Sequence, residues 1–222
     1  MIYVKLEEDL FKYEIQDLLK LFFPGVPVIN MIGEVIHEDP LGVFLICKVI
    51  KNGENSSVEI GIQTKHFNKN AKVSIYNEDI VKCSYEVRRT VKREFKRQLY
   101  ILLWEYTGKR QPWGMLTGIR PAKIVHEMIN RGHKKEEIIQ NLTDYYMVTN
   151  NKARLLYDVA VVEKKILDRT NPEMISLYIG IPFCPTRCLY CSFTSNPISR
   201  YGGVVKKYID ALKVEIEGIS KI

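Results

Sequence analysis

Several features that would assign a function directly are missing from this sequence. It has no run of eighteen apolar residues, so it predicts no transmembrane helix. Acidic residues follow Leu6, where a signal peptide would carry its apolar region, which argues against a secretion signal. There is no phosphate-binding loop, no G-x-G-x-x-G, no nucleophile elbow and no internal repeat. We therefore expect a globular protein of about one to two domains.

Cysteine is scarce and unevenly placed. The chain has five cysteines, an odd number, and three of them lie within eight residues. A secreted disulfide framework would have an even number spread along the chain. Clustered thiols in a reducing compartment usually mean metal binding or catalysis, so we expect a cytoplasmic protein. Cys47, in a strand-like apolar run, and Cys83, in a predicted helix, are expected to be small buried hydrophobic residues.

The composition is that of a globular protein with a basic surface. Of the 222 residues, 46% are hydrophobic and 27% are charged, which is enough apolar material for a core. The formal net charge is +7 and the pI is about 9.0. This balance fits an acidic ligand, a nucleic acid or a solvated surface, among which charge alone does not decide.

Residues 1–108 predict an N-terminal α+β domain. The period of the apolar residues alternates between that of strands and that of helices, and Asn52-Gly53 is a strong hairpin signal. The predicted elements are a strand over 1–9, a helix over Leu10–Phe23, strands over Val28–Ile36, Leu41–Lys51 and Ser57–Phe67, a possible strand over Ala71–Tyr76, and a helix from Asp79 to about Tyr106.

The last of these helices has one strongly basic face. It carries Lys82, Arg88, Arg89, Lys92, Arg93, Lys96 and Arg97. One interpretation is a surface that binds anions or nucleic acid. The other is the solvated side of an amphipathic helix. We favour the second, because no aromatic residues alternate with the charges to stack on bases.

Residues 109–172 predict a small helical unit followed by a linker. A dense turn over 111–121 leads into helices at about Pro121–Asn130, Lys134–Tyr146 and Asn150–Asp168. Arg120 and His126 lie close together in sequence, and one interpretation is that they hold a carboxylate between them. A helix start with a surface histidine is the simpler interpretation, and we favour it.

The most specific chemistry lies near the C-terminus. The apolar run Ile175–Pro182 is bounded by prolines, which favours a buried strand of a parallel sheet. Cys184, Cys188 and Cys191 follow the end of this predicted strand, the edge at which barrel enzymes build their sites. A polar loop over Ser192–Gly203 and a helix over Val204–Ile222 complete half of a βαβ unit.

Three kinds of site compete for these cysteines. A structural zinc site needs four ligands, but only three thiols cluster and no histidine follows them. A catalytic thiol needs one cysteine and a base. An iron–sulfur cluster binds thiolates, and spacings of four and three place all of them on one side of a curled segment. The pattern favours the cluster, with Arg187 between the ligands either offsetting its negative charge or lying exposed in the loop.

This stretch also resembles a known family. Cys184-x-x-x-Cys188-x-x-Cys191, with Tyr190 before the third cysteine, resembles the signature of radical S-adenosylmethionine enzymes. The wider string from Tyr178 to Phe193, and residues 208–217, resemble the oxygen-independent coproporphyrinogen III oxidase branch, which is HemN-like. Residues 116–126 resemble the N-terminal extension of its HemZ-type coproporphyrinogen dehydrogenases.

The resemblance implies an oxidoreductase of porphyrin and heme biosynthesis. A [4Fe–4S] cluster would be bound by the three cysteines, and S-adenosylmethionine would chelate the iron that has no protein ligand. Tyr178 would lie near that cofactor and Tyr190 would pack by its adenine. A 5′-deoxyadenosyl radical would take hydrogen from a propionate of coproporphyrinogen III, and decarboxylation would leave a vinyl group. The electron donor would be of flavodoxin or ferredoxin type.

The implied fold class is α/β, and residues 173–222 would be the first unit of a partial (β/α)₆ barrel. A complete barrel of this family needs about six strand–helix units, so we expect the 222-residue chain to be inactive alone. Two departures matter, because well-characterised oxidases of the branch carry a cysteine where this chain has Phe193 and a histidine where it has Gly180. One alternative is a heme-handling or cluster-binding relative. A nucleic-acid or partner-binding N-terminal module is another, although we consider nucleic acid an improbable partner.

Overall fold

The protein was analysed as a computed structural model. It describes residues 1–7, 11–31, 39–52, 55–75, 84–118, 120–171 and 173–221. The described chain divides into two compact units, Met1–Arg169 and Thr170–Ile222. Helices and a mixed sheet together confirm the predicted α/β class. The predicted domain boundaries at residues 108 and 172 stay predictions.

A mixed five-stranded sheet forms one layer of the first unit. Its strand order is β2-β1-β3-β4-β5. β1 pairs in parallel with both β2 and β3, whereas β3, β4 and β5 form an antiparallel meander. The strands are β1 (Ile2–Leu6), β2 (Val28–Met31), β3 (Val43–Asn52), β4 (Asn55–Gln63) and β5 (Asn68–Ile75). A strand is present at each of the positions predicted for residues 1–76. The strand predicted over Ser57–Phe67 ends at Gln63, however, and the last strand begins at Asn68 instead of Ala71. Residues 8, 9, 32–36 and 76 of the predicted strands lie outside the described part.

Helix α1 (Lys12–Phe22) connects the two parallel strands β1 and β2. Its buried residues are Ile15, Leu18, Leu19 and Phe22, which recur at helical spacing as predicted. Leu10, the predicted first residue, lies outside the described residues. The opposite layer of this core comes from alternate sheet residues such as Val58, Ile60 and Ile62, each fully buried.

Helix α2 (Tyr85–Thr107) packs its apolar stripe on the same core. The stacked rings of Phe95 and Phe11 have centroids 4.1 Å apart. Gly108 ends the helix with a φ of 67°, a conformation that glycine adopts without steric cost. The predicted start at Asp79, Lys82 and Cys83 lie outside the described residues, whereas Cys47 is buried as predicted.

Three further helices complete the first unit, as predicted: α3 (Ala122–Asn130), α4 (Lys135–Asp144) and α5 (Asn150–Leu167). The turn before α3 is anchored at Gly114, whose φ is 55°. A Cβ there would lie 2.1 Å from the carbonyl oxygen of Tyr146. The backbone of Met115 donates a hydrogen bond of 3.1 Å to that same oxygen. This close approach joins the turn to the segment between α4 and α5.

The second unit contains two short strands and one long helix. β6 (Phe183–Cys184) pairs in parallel with β7 (Asn196–Pro197), and α6 (Ile198–Ile219) follows directly. The predicted strand over Ile175–Pro182 is wrong, because none of its residues is in a strand. A parallel strand needs a neighbouring strand for its N–H and C=O groups, and no described strand pairs with this run.

The predicted loop over Ser192–Gly203 is wrong in its second half. Helix α6 begins at Ile198 and continues through Gly202 and Gly203. Pro197 precedes it in an extended conformation, with φ −64° and ψ 128°, as is typical of the residue before the first helical turn. The helix was predicted to begin at Val204, after these two glycines, which lower helix propensity. No helix within the described ranges has both the length and the apolar character to cross a membrane.

Candidate metal-binding loop

The three motif cysteines lie on a loop whose ends are held together. We call residues 183–197 the cysteine loop. At its base, the backbone N–H of Asn196 donates to the carbonyl oxygen of Pro182 at 2.8 Å, and its side-chain Nδ2 donates to the same oxygen at 3.2 Å. Because one residue supplies both donors, the two ends of the loop stay adjacent when the residues between them rearrange.

Helix α6 supports the segment that enters the loop. The Tyr208 hydroxyl donates a hydrogen bond to the carbonyl oxygen of Gly180. The Tyr208 ring also packs edge-on against Phe183, with centroids 5.3 Å apart. This role of Tyr208 was not predicted from the sequence. The available signal was a tyrosine among the aliphatic residues of the predicted helix, because a partly buried tyrosine usually finds a partner for its hydroxyl group.

The cysteines differ in exposure. Cys184 on β6 and Cys191 are half-buried, and Cys188 is exposed. The backbone N–H of Cys191 donates to the carbonyl oxygen of Cys188 at 3.0 Å, which closes a tight turn between them. The Cys191 Sγ lies 3.8 Å from the carbonyl oxygen of Phe193. All three are free thiols.

The donor set suits an iron–sulfur cluster, but the sulfur atoms are not gathered into a ready-made site. Three thiols are the ligand type that such clusters take. Among the described residues, which include all three motif cysteines, no group of three or more His, Cys, Asp or Glu is arranged to hold a metal ion. Near the end of the loop, the Ser195 Oγ is buried and has no hydrogen-bond partner within the described chain.

The two tyrosines predicted to contact the cofactor are on the surface. Tyr178 is 81% exposed and Tyr190 is 90% exposed. Neither ring is therefore packed in a hydrophobic core. Arg187 is also exposed. The predicted ligand and cofactor roles of these residues stay predictions.

Arg120 and His126 line one groove in the first unit, as their proximity in sequence suggested. The groove lies between α3 and α5, has a volume of about 880 Å³ and has an apolar wall that includes Leu155, Val159 and Ile166. The His126 Nε2 lies 2.9 Å from the Glu163 Oε2 on α5. The half-buried His126 is therefore engaged by a carboxylate of the chain itself.

No protein-family model matches the chain. It is 35% identical over 141 residues to the oxygen-independent coproporphyrinogen-III oxidase-like protein HemZ of Bacillus subtilis (strain 168). The match covers 61% of this chain and 28% of that relative, so the chain spans well under half of the relative's length. The crystal structure of protein VC0702 from Vibrio cholerae aligns over 78% of this chain and 98% of its own, but its TM-score of 0.27 and 9% identity support no argument about fold or function.

The curated match bears directly on the resemblance predicted from sequence. That prediction depended on the cysteine motif and on residues 116–126, and it named the same branch of proteins. The match confirms this resemblance. Over the matched residues, the chain is similar in sequence to an oxygen-independent coproporphyrinogen III oxidase-like protein.

Proposed function

We propose that this chain supplies the cluster-binding loop of an oxygen-independent coproporphyrinogen III oxidase-like enzyme. Cys184, Cys188 and Cys191 would bind a [4Fe–4S] cluster. The observation that carries the proposal is the C-x₃-C-x₂-C motif on one short loop of a chain related to HemZ. Three thiolates leave one iron of a four-iron cluster without a protein ligand, and an open coordination position is typical of catalytic metal sites.

The second cofactor of the proposal is S-adenosylmethionine, bound at that open iron. When bound, the cluster would supply the electron that cleaves this cofactor reductively. Tyr178 and Tyr190 have rings accessible to solvent on either side of Cys184 in the sequence, so both are available to pack against the cofactor. Aromatic faces suit an adenine ring because stacking adds to the burial of area.

The contacts at the base of the loop support this proposal. Asn196 and Tyr208 hold the two flanking segments, while residues 185–190 are exposed. Moving the exposed residues breaks few native contacts. We therefore expect cluster binding to draw Cys188 and Cys191 toward Cys184 while the bonds to Pro182 and Gly180 stay intact.

The substrate of the proposed reaction is coproporphyrinogen III or a related porphyrin. Oxidative decarboxylation of its propionates to vinyl groups belongs to heme biosynthesis, and a flavodoxin- or ferredoxin-type donor would supply the electron. These assignments concern the whole protein.

Anaerobic reconstitution tests the proposed ligands. We expect the purified chain, given iron and sulfide, to bind about four irons and to show the absorption near 400 nm of thiolate-ligated clusters. Replacing Cys184, Cys188 or Cys191 by alanine should abolish most of this signal. Cys47→Ala is the matched control, because Cys47 is a buried cysteine outside the loop. If all four variants lose the cluster alike, or none does, the ligand assignment is wrong.

Turnover by the whole protein tests the reaction itself. We expect anaerobic, reduced protein to convert coproporphyrinogen III and to cleave S-adenosylmethionine. A heme-handling or cluster-binding relative is the second candidate, because Phe193 and Gly180 depart from the oxidase pattern. Heme binding without turnover would support this second candidate and reject the oxidase activity, while leaving the cluster assignment to the reconstitution.

A further inference from the structure

The first unit contains a cavity lined by five cationic side chains. Four come from the basic face of α2 and the fifth comes from the turn before α3, a separate part of the chain. We call this the basic cavity and define it by Arg89, Lys92, Arg93, Lys96 and Arg120. Its volume is about 280 Å³, and Glu14 and Asp17 are the carboxylates among its lining residues.

Ion pairs account for part of this charge. Lys92 Nζ lies 3.2 Å from Glu14 Oε1, and Arg89 lies 3.5 Å from Glu127. Lys96 donates to the hydroxyl of Thr117, which in turn donates to Asp17 at 3.1 Å. Both carboxylates of the cavity, Glu14 and Asp17, are therefore engaged by other side chains of the chain. The two remaining cations of the cavity are Arg93 and Arg120.

Arg93 and Arg120 carry the surplus charge. The Arg93 guanidinium lies over the Tyr146 ring, 6.0 Å from its centroid. Within the part of the chain that the structure describes, neither arginine has a carboxylate within ion-pair distance. A planar guanidinium binds carboxylate and phosphate groups through two parallel hydrogen bonds, so two arginines facing one cavity suit such an anion.

Partial burial of the cavity strengthens the attraction between its cations and an anion that enters it. Lys96 is half-buried, and desolvation lowers the pKa of its ammonium group, with Asp17 and Glu14 partly opposing the shift. An anion near a desolvated cation is screened less than it would be on the open surface. The Glu14 Oε2 is also buried and has no hydrogen-bond partner among the described residues, so an acceptor is available for a donor group of a ligand.

The remaining wall limits the shape of that ligand. Met115, Leu116, Pro121 and Ile124 line the cavity beside the cations. A volume of about 280 Å³ is close to the lower end of the range for small-molecule pockets. A concave, partly apolar wall also suits a small molecule better than a nucleic-acid backbone.

We propose that the basic cavity binds a small organic anion, a carboxylate or phosphate monoester with a short apolar body. Arg93 and Arg120 hold the anionic group, and the apolar wall contacts the body. All of its lining residues belong to the first unit and none is a motif cysteine, so its test does not depend on cluster binding.

Titration calorimetry with two anions and one neutral compound tests this site. The probes are phenyl phosphate, benzoate and benzamide, added to the purified chain. We expect one molecule of phenyl phosphate or benzoate to bind per chain with saturation, and benzamide not to bind. Tighter binding of phenyl phosphate identifies a phosphate monoester, and tighter binding of benzoate identifies a carboxylate.

Variants show whether the bound anion is in the basic cavity. Arg93→Gln and Arg120→Gln should each weaken binding at least about tenfold, since each removes a charged hydrogen-bond donor. Arg97→Gln is the matched control and should change binding less than about twofold. Arg97 lies one turn further along α2, outside the cavity lining, and its guanidinium lies over the Tyr145 ring at 5.5 Å.

Three results would overturn the proposal. One is saturable binding of neither anion. Another is equal weakening by Arg97→Gln and Arg93→Gln, which would mean general attraction to a basic surface. The third is a single-stranded RNA oligonucleotide that binds more tightly than both anions, with a steep salt dependence, and competes with them. Unchanged circular dichroism of each variant excludes loss of fold as the cause.

Discussion

The two units of the chain differ in how their apolar residues are used. In the first unit, side chains such as Phe11, Phe95 and Leu99 are completely buried in one continuous core. In the second unit, no described residue is buried. Ile175 is 86% exposed and Leu189 is fully exposed. Both units contain strands and helices, but only the first has a hydrophobic interior.

The buried core and the cysteine motif lie in different units of the chain. Burial of apolar surface is the main term that favours folding, so we expect the first unit to carry nearly all the stability of the chain. The cysteine motif lies in the unit without a core. Its exposed apolar residues form the type of surface at which ligands or other protein surfaces bind.

A matched pair of phenylalanine substitutions tests the comparison most strongly. Phe95→Ala should lower the free energy of unfolding by about 3–5 kcal/mol, because it empties a fully buried site and removes the stack on Phe11. Phe193→Ala, at a side chain that is 72% exposed, should change it by less than about 0.5 kcal/mol. Urea titrations followed by tryptophan fluorescence report this, since Trp104 and Trp113 both lie in the first unit.

Comparable losses from the two phenylalanine variants would contradict the comparison. Circular dichroism measured in the same titrations adds a second probe of the comparison. Helix α6 contributes to the circular dichroism signal, whereas both tryptophans that give the fluorescence lie in the first unit. If the second unit lacks its own stability, the two probes will give transitions that do not coincide.

Two glycines provide the next largest contrast. Gly114→Ala should destabilise the first unit by on the order of 1–3 kcal/mol from its left-handed backbone alone, and the overlap with the Tyr146 carbonyl adds to this loss. Gly180→Ala in the second unit should have little effect, since its Cβ would meet the Tyr178 ring at an ordinary 3.4 Å. Thermal unfolding of both variants decides between these outcomes, and a stable Gly114→Ala protein would mean that the turn over 111–121 can move away from Tyr146.

The elements of the first unit could be predicted because its periodicity reflects burial. Ile15, Leu18, Leu19 and Phe22 recur at helical spacing and are all buried. In the second unit the same reasoning failed. The run Ile175–Pro182 has the composition of a buried strand, but composition does not provide the hydrogen-bonding neighbour that a strand requires.

The sites show the same limit. Spacing identified Cys184, Cys188 and Cys191 as a ligand set, because ligands close in sequence can be found from sequence. It could not place the three sulfur atoms in space. The basic cavity could not be predicted from the sequence, because Arg93 and Arg120 come from separate segments that only the packing of α2 against the turn brings together. The basic face of α2 was interpreted as a solvated helix face, whereas Lys92, Arg93 and Lys96 are half-buried.

Alkaline pH gives a smaller effect that belongs to the first unit. Burial raises the pKa of Tyr100, Tyr145 and Tyr146 above their ordinary value of 10.0. Above pH 10 the unfolded phenols ionise while the folded ones stay protonated, so the unfolded state binds fewer protons and stability falls as pH rises. Each tyrosine contributes up to about 1.4 kcal/mol per pH unit. Tyr146→Phe should therefore make the decline between pH 10 and 11 shallower in urea titrations, and an unchanged slope would contradict the assignment.

The helix starts give the smallest expected contrast. Ser84 caps α2, where its Oγ accepts a hydrogen bond of 3.4 Å from the backbone N–H of Val87. In the second unit, Pro197 precedes α6 without any side-chain acceptor. Ser84→Ala should cost about 0.5–1 kcal/mol, near the lower end for helix caps because the bond is long, and Ser84→Asp should restore it. Pro197→Ala removes no acceptor, so urea titrations should show less change there. If Pro197→Ala lowered the free energy of unfolding as much as Ser84→Ala does, the second unit would depend on its helix start as much as the first unit does. The second unit would then have a stability of its own.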